Sequence, residues 1–240
     1  MKPFVILLIM LSASLFATLL MIKSPKQTTN TSIDKQEETF DKSIDNNLGL
    51  IRRITKEADM NQVKLFQKNS IYLLDHMNMN RNYDKNFVDN YAMLNEIVND
   101  TIRCIQTSRT SISAQILKTK KESRHFKKKI KSIGLAELNN SWHDMQKNNH
   151  QFLREPSNEK FQEYEENFNR TKTIITELYL EDEDEEYLFA YLDQHRHATA
   201  ALYEVYTRVG LDRVREIKPL TYAIKEHMQL NRHLFKKTAL

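Results

Sequence analysis

Between Pro25 and Pro156 the chain contains no proline and only two glycines, Gly49 and Gly134. Proline removes a backbone donor and glycine raises the entropic cost of order, so their scarcity lets helices run long. It also argues against strand-rich folds, which need many tight turns, and against glycine-rich phosphate loops. The chain is 40% hydrophobic and 28% charged, a balance suited to amphipathic helices that each bury a single stripe. The expected fold class is all-α.

Residues Phe4 to Ile22 carry no charge, and about 20 such residues suffice to cross a bilayer as a helix. Residues 1–23 therefore read as a signal-anchor or transmembrane segment. Residues 24–33 read as a polar tether, and residues 34–240 as one helical bundle domain. Lys2 precedes the apolar run and Lys23 and Lys26 follow it, so the positive-inside comparison is nearly balanced. The expectation is a single-pass protein with its body outside the cytoplasm, periplasmic or at the cell surface, and secreted if the segment is cleaved. Residues 4–22 make the membrane the first expected partner.

An elongated antiparallel bundle of about five to six helices is predicted, two of them long. Ile44, Leu48, Ile51, Ala58, Val63, Phe66, Leu73 and Met77 trace the first long helix. Phe87, Tyr91, Leu94, Val98, Ile102, Ile105, Ile112 and Ile116 form a coiled-coil-like seam on the second, which should end near Gly134. Asp84 and Ser157 are candidate N-caps. A third helix spans about 135–154 and a fourth follows Pro156. The fifth runs from about Glu183 to Gly210, and Pro219 should kink or break the last segment.

Two charge blocks stand out. Lys118, Lys120, Lys121, Arg124, Lys127, Lys128, Lys129 and Lys131 face only Glu122 within 118–131. Residues 177–186 hold Glu177, Glu181, Asp182, Glu183, Asp184, Glu185 and Glu186 and no base. Up-and-down tracing brings these blocks to one end of the bundle. They are the candidate interaction residues, through mutual docking or through contact with a partner protein or anionic head groups. Setting aside the lysines of residues 1–26 reduces the formal charge from +4 to +1, so nucleic-acid binding has no global basis.

Chemistry is thinly signalled. Glu122 and His125 have the ExxH spacing of di-iron bundles, but lysines surround them and no second copy occurs. Asp193 and His197, four apart, share a helical face and form the candidate metal pair. His195 falls on the apolar stripe instead, as a core or interface histidine. His143 with His150, and His227 with His233, have no nearby acids arranged for ligation and read as exposed, and Trp142 reads as a core anchor. The lone Cys104 excludes an intrachain disulfide. There is no GxSxG, HExxH, P-loop, Rossmann or CxxC motif, and no cofactor is expected.

A membrane-anchored bundle of long helices resembles, in architecture alone, the sensor ectodomains of bacterial receptors. It departs from them by lacking a second crossing and a cytoplasmic output domain. The leading expectation is a non-enzymatic, membrane-anchored component of an envelope complex that binds or self-associates through protein contacts. A ligand-sensing helical ectodomain is the alternative. A helical metalloprotein or enzyme with a site on the fifth helix is a further one.

Overall fold

The computed structural model describes residues 25–79, 83–108 and 112–238. Eight α-helices occur among them: α1 Pro25–Glu57, α2 Val63–Met79, α3 Lys85–Thr107, α4 Ile112–Ile133, α5 Ala136–Arg154, α6 Asn158–Glu177, α7 Asp182–Val209 and α8 Leu211–Thr238. The expected count of five to six is corrected to eight, because both long helices are interrupted. The stretch read as a tether is helical from Pro25 onward. The chain divides into two compact units, Met1–Asn46 and Asn47–Leu240, with the boundary inside α1. In the first, the Ser43 hydroxyl donates to the Thr39 carbonyl at 2.8 Å, one turn back along the helix.

The first interruption is local chemistry. Ala58 adopts the left-handed conformation at φ 47°, and the Asp59 side chain accepts from the Asn61 amide at 3.2 Å. This Asx bond offers the backbone an alternative to the helix ladder, and a short 3-10 turn, Met60–Gln62, follows. The second interruption begins at Ser108, whose ψ of 135° is extended. Ile105 and Ile112 are both buried, so their seven-residue spacing bridges two helices where one was expected.

Other boundaries follow from caps. The Asp84 carboxylate accepts from the Asn86 amide at 2.7 Å, and the Ser157 hydroxyl accepts from the Lys160 amide at 3.1 Å, each satisfying a donor that its helix leaves open. Gly210 closes α7 at φ 101°, where a side chain would be strained. α8 continues through Pro219. Tyr179, between α6 and α7, holds φ 48° while 93% exposed. Nothing packs against it to offset that strain, so Tyr179→Gly should raise unfolding stability by roughly 0.5–1 kcal/mol. A higher urea midpoint at unchanged slope is the expected reading.

In the second unit α5 packs on α6, α4 on α7 and α3 on α8. α7 is central, touching α3, α4, α6 and α8. This position accounts for the aromatic residues on several of its faces. Phe126 of α4, Trp142 of α5, Tyr164 of α6 and Tyr191 of α7 belong to one core cluster. Elsewhere Phe87 of α3 stacks on His227 of α8 with ring centroids 4.5 Å apart. Arg213 at the start of α8 reaches Glu96 at 2.8 Å and Asp100 at 2.9 Å on α3. Asn47 ties α1 to its neighbours by donating to Ser70 at 2.9 Å and Tyr91 at 2.6 Å.

Among the described residues no helix is long and apolar enough to cross a membrane. The expectation of a transmembrane, single-pass protein with an extracytoplasmic body serving an envelope complex is corrected accordingly. The run Phe4–Ile22 that prompted it lies outside the described residues.

Candidate functional site

The two charge blocks meet at one ion pair, Lys129 with Asp184. Lys118, Lys120, Lys121, Arg124, Lys127, Lys128 and Lys131 are exposed along α4, as are Glu181, Asp182, Glu183 and Glu186; Asp184 and Glu185 are half-buried. Four of these acids occupy the first turn of α7 and Lys131 the last turn of α4. The four acids and Lys131 thereby complement the dipoles of their own helices, typically worth about 0.3–1 kcal/mol per charge. Lys120 pairs instead with Glu57 of α1, at 3.1 Å.

The candidate metal pair is not arranged as one. Asp193 Oδ1 lies 3.2 Å from Lys172 Nζ, and His197 Nδ1 lies 2.6 Å from the Asp193 carbonyl oxygen, so its ring N–H is spent on the backbone. Among the described residues no group of three or more His, Cys, Asp or Glu side chains is placed to hold a metal ion. The metalloprotein reading, with its site on the fifth predicted helix, is corrected on that finding. His125 packs edge-on against Tyr187, centroids 5.3 Å apart, and Cys104 is a half-buried thiol.

What the fold does build is a cleft along α4, α5 and α7. Its larger lobe, about 570 Å³, is bordered by Lys127, Trp142, His143, Lys147, His150 and Arg154. A second lobe of about 290 Å³ shares Ser123, Gln146 and His150 with it and reaches Lys56 and Glu57 at the end of α1. The size suits a small ligand. The lining carries five basic side chains, Lys56, Lys120, Lys127, Lys147 and Arg154, against the single acid Glu57.

A buried polar group forms the floor. His195, 5% exposed, places Nδ1 2.8 Å from the Tyr164 hydroxyl and Nε2 3.0 Å from the Gln146 amide. A hydroxyl can donate or accept, and a carboxamide presents either function when turned over, so both tautomers are satisfied. The Asn149 amide stands 3.5 Å from Nε2, and the Thr199 hydroxyl 3.4 Å from Asn149 Oδ1. Burial, with the adjacent His150 as a lesser cause, pulls His195 down to about 4, so the ring is neutral at physiological pH. Burial also drives the Tyr164 hydroxyl far above its ordinary value and Tyr191 up to about 12. Trp142 meets His195 and Tyr191 edge-on, centroids 5.8 Å away in each case.

Lys56 differs from the other cleft cations. Its ammonium is held below the usual lysine value, first by burial and then by repulsion from Arg52, Arg154 and Lys218. Sequence reasoning singled out His195, His143, His150, Trp142, Lys120 and Lys127, but assigned them to separate roles. It missed Gln146, Asn149, Tyr164 and Lys56, which look like ordinary helix-surface or core residues until four helices are assembled. The spacing of Trp142, Gln146, Asn149 and His150, which share one face of α5, was the available signal. Comparison with protein-family models, with curated proteins and with solved structures finds no match for this chain.

Proposed function

We propose that the bundle is a non-enzymatic binding protein for a small polyanion, held in the cleft along α4, α5 and α7. The observation that carries this reading is the charge of the lining, five cations to one acid around a floor of neutral hydrogen-bonding groups. Opposite charge concentrated in a concave site raises the local anion concentration. Binding rather than catalysis is supported by His195, the buried group best placed to move protons. Both its ring nitrogens are engaged and the ring is kept neutral, so it supplies shape and polarity instead.

Trp142 is the only tryptophan in the chain and borders the cleft, so intrinsic fluorescence reports on this place. Titration of the full chain with sodium tripolyphosphate or citrate, at fixed ionic strength, should give a saturable change with a dissociation constant below about 1 mM. The double variant Lys127→Gln, Lys147→Gln should weaken both anions by about tenfold or more. A flat response to both anions, or affinities indifferent to the double variant, removes the reading.

A further inference from the structure

Charge is divided unevenly along the cleft. Lys127, Lys147 and Arg154 border the larger lobe, and no aspartate or glutamate lines it. Arg154 Nε stands 3.6 Å from Glu155 Oε1, an oxygen that Lys218 Nζ approaches more closely, at 2.6 Å. Lys56, Lys120 and Glu57 line the smaller lobe, where Lys120 Nζ is bound to Glu57 Oε2 at 3.1 Å. The larger lobe thus presents three basic side chains to a ligand, one of them shared with Glu155. The smaller lobe presents only Lys56 beyond its own ion pair.

What the smaller lobe offers instead is a mixture of apolar wall and carboxamide. Ile116, Leu153, Tyr191 and Leu202 line it together with Gln146 and Asn149 of α5. The Asn149 amide is 3.5 Å from His195 Nε2, and its Oδ1 is 3.4 Å from the Thr199 hydroxyl. Both are longer than an ordinary hydrogen bond. Among the described residues the Gln146 side chain has one partner, His195, at 3.0 Å. A carboxamide sets a donor beside an acceptor, so pairing capacity is left over on both. A simpler account is a crevice filled by water, which would satisfy the carboxamides but leave the apolar walls wetted. A sugar would set hydroxyls against leucine and isoleucine, and an aliphatic chain would leave the carboxamides unpaired. A flat heteroaromatic ring meets both demands. Its faces lie on the apolar walls, and its edge pairs with a carboxamide as adenine does with Asn or Gln. The volume of about 290 Å³ equals that of about ten liquid waters, room for such a ring.

We propose that the cleft binds a nucleotide, its phosphate tail among Lys127, Lys147 and Arg154 in the larger lobe and its base against Asn149 and Gln146 in the smaller one. The inference rests on the polyanion reading above and narrows it, since the tail is the polyanion. Ser123, Gln146 and His150 line both lobes, so one molecule can span them. Phosphate oxygens suit the Arg154 guanidinium fork and the two lysine ammoniums. The neutral His195 behind the carboxamides holds Gln146 in place through its Nε2 bond.

The test sets ATP against tripolyphosphate, which carries a similar tail without the base, on the full chain by titration calorimetry in the absence of divalent cations. ATP should bind about tenfold or more tighter. Asn149→Leu should remove about that factor from ATP affinity and change tripolyphosphate affinity by less than about twofold. The double variant Lys127→Gln, Lys147→Gln should weaken both probes alike. Circular dichroism checks that each variant is folded, and Gln146→Met takes the place of Asn149→Leu if the latter is not. A second readout is saturation transfer from protein to bound ATP, which should be stronger at the adenine protons than at the ribose. Equal affinities for ATP and tripolyphosphate would overturn the nucleotide assignment and leave the polyanion cleft standing; no binding of either would remove both. ATP affinity indifferent to the carboxamide variant, or saturation strongest at the ribose, would overturn the placement of the base.

Discussion

Phe126→Ala is expected to cost about 3–5 kcal/mol of unfolding free energy, the range for emptying a buried aromatic site. The Phe126 ring is fully buried on α4. It lies 4.1 Å from the Tyr191 ring of α7 and 4.6 Å from the Trp142 ring of α5, centroid to centroid. One side chain therefore links three helices, and neither neighbour can follow it inward without abandoning the other. Aromatic pairs of this kind contribute about 0.5–1.5 kcal/mol each beyond the area they bury. Urea unfolding followed by far-UV circular dichroism should show the loss as a lower midpoint at similar slope. Phe126→Leu, which keeps most of the volume, should recover more than half of it. A cost below about 1 kcal/mol for the alanine variant would mean that the three-ring cluster does not hold these helices together.

Acid should destabilise the protein through His195. Its folded-state value is about 4 against an ordinary 6.5, so between those values the unfolded chain binds a proton that the folded chain refuses. Stability then falls as pH falls through 6.5 and stops falling, for this group, below about 4. The loss should be about 2 kcal/mol at about pH 5 and about 3 kcal/mol when the window is complete. Repulsion from His150 is the lesser cause of the shift. Chemical denaturation across this range, repeated with His195→Gln, isolates the contribution from carboxylates that titrate nearby. The glutamine variant should be less stable at neutral pH, having lost the Tyr164 contact, yet show a flatter acid limb. Parallel acid limbs in the two proteins would falsify the assignment to His195.

The all-α class was legible in the scarcity of breakers, and several boundaries were legible in cap chemistry at Asp84, Ser157, Gly134 and Gly210. The interruptions of the two long predicted helices were not. Ala58 carries no sequence mark of a left-handed conformation, and its break shows only when the Asp59–Asn61 bond is seen. At the second break, Ile105 and Ile112 keep a seven-residue interval across the gap, so hydrophobic periodicity is blind to it. The candidate site was legible only in fragments. Trp142, His143 and His150 are visible on one helix, but Lys56, Lys127 and His195 come from three helices far apart in the chain. Distant side chains acquire a shared role only when packing brings them to one cleft.

The central position of α7 also bears on how the chain reaches its native state. The Tyr206 hydroxyl donates to the Thr55 carbonyl at 2.6 Å, across 151 residues of sequence. The last turns of α1 and the greasy side of α3 thus wait for partners from α7 and α8, which lie much later in the chain. A nascent chain emerging from a ribosome would hold these surfaces uncovered until α7 and α8 had been made, the condition in which aggregation competes with folding. Non-local closure of this type must be completed after the fast-forming local bonds of the helices, and its loop-closure entropy opposes the folding rate.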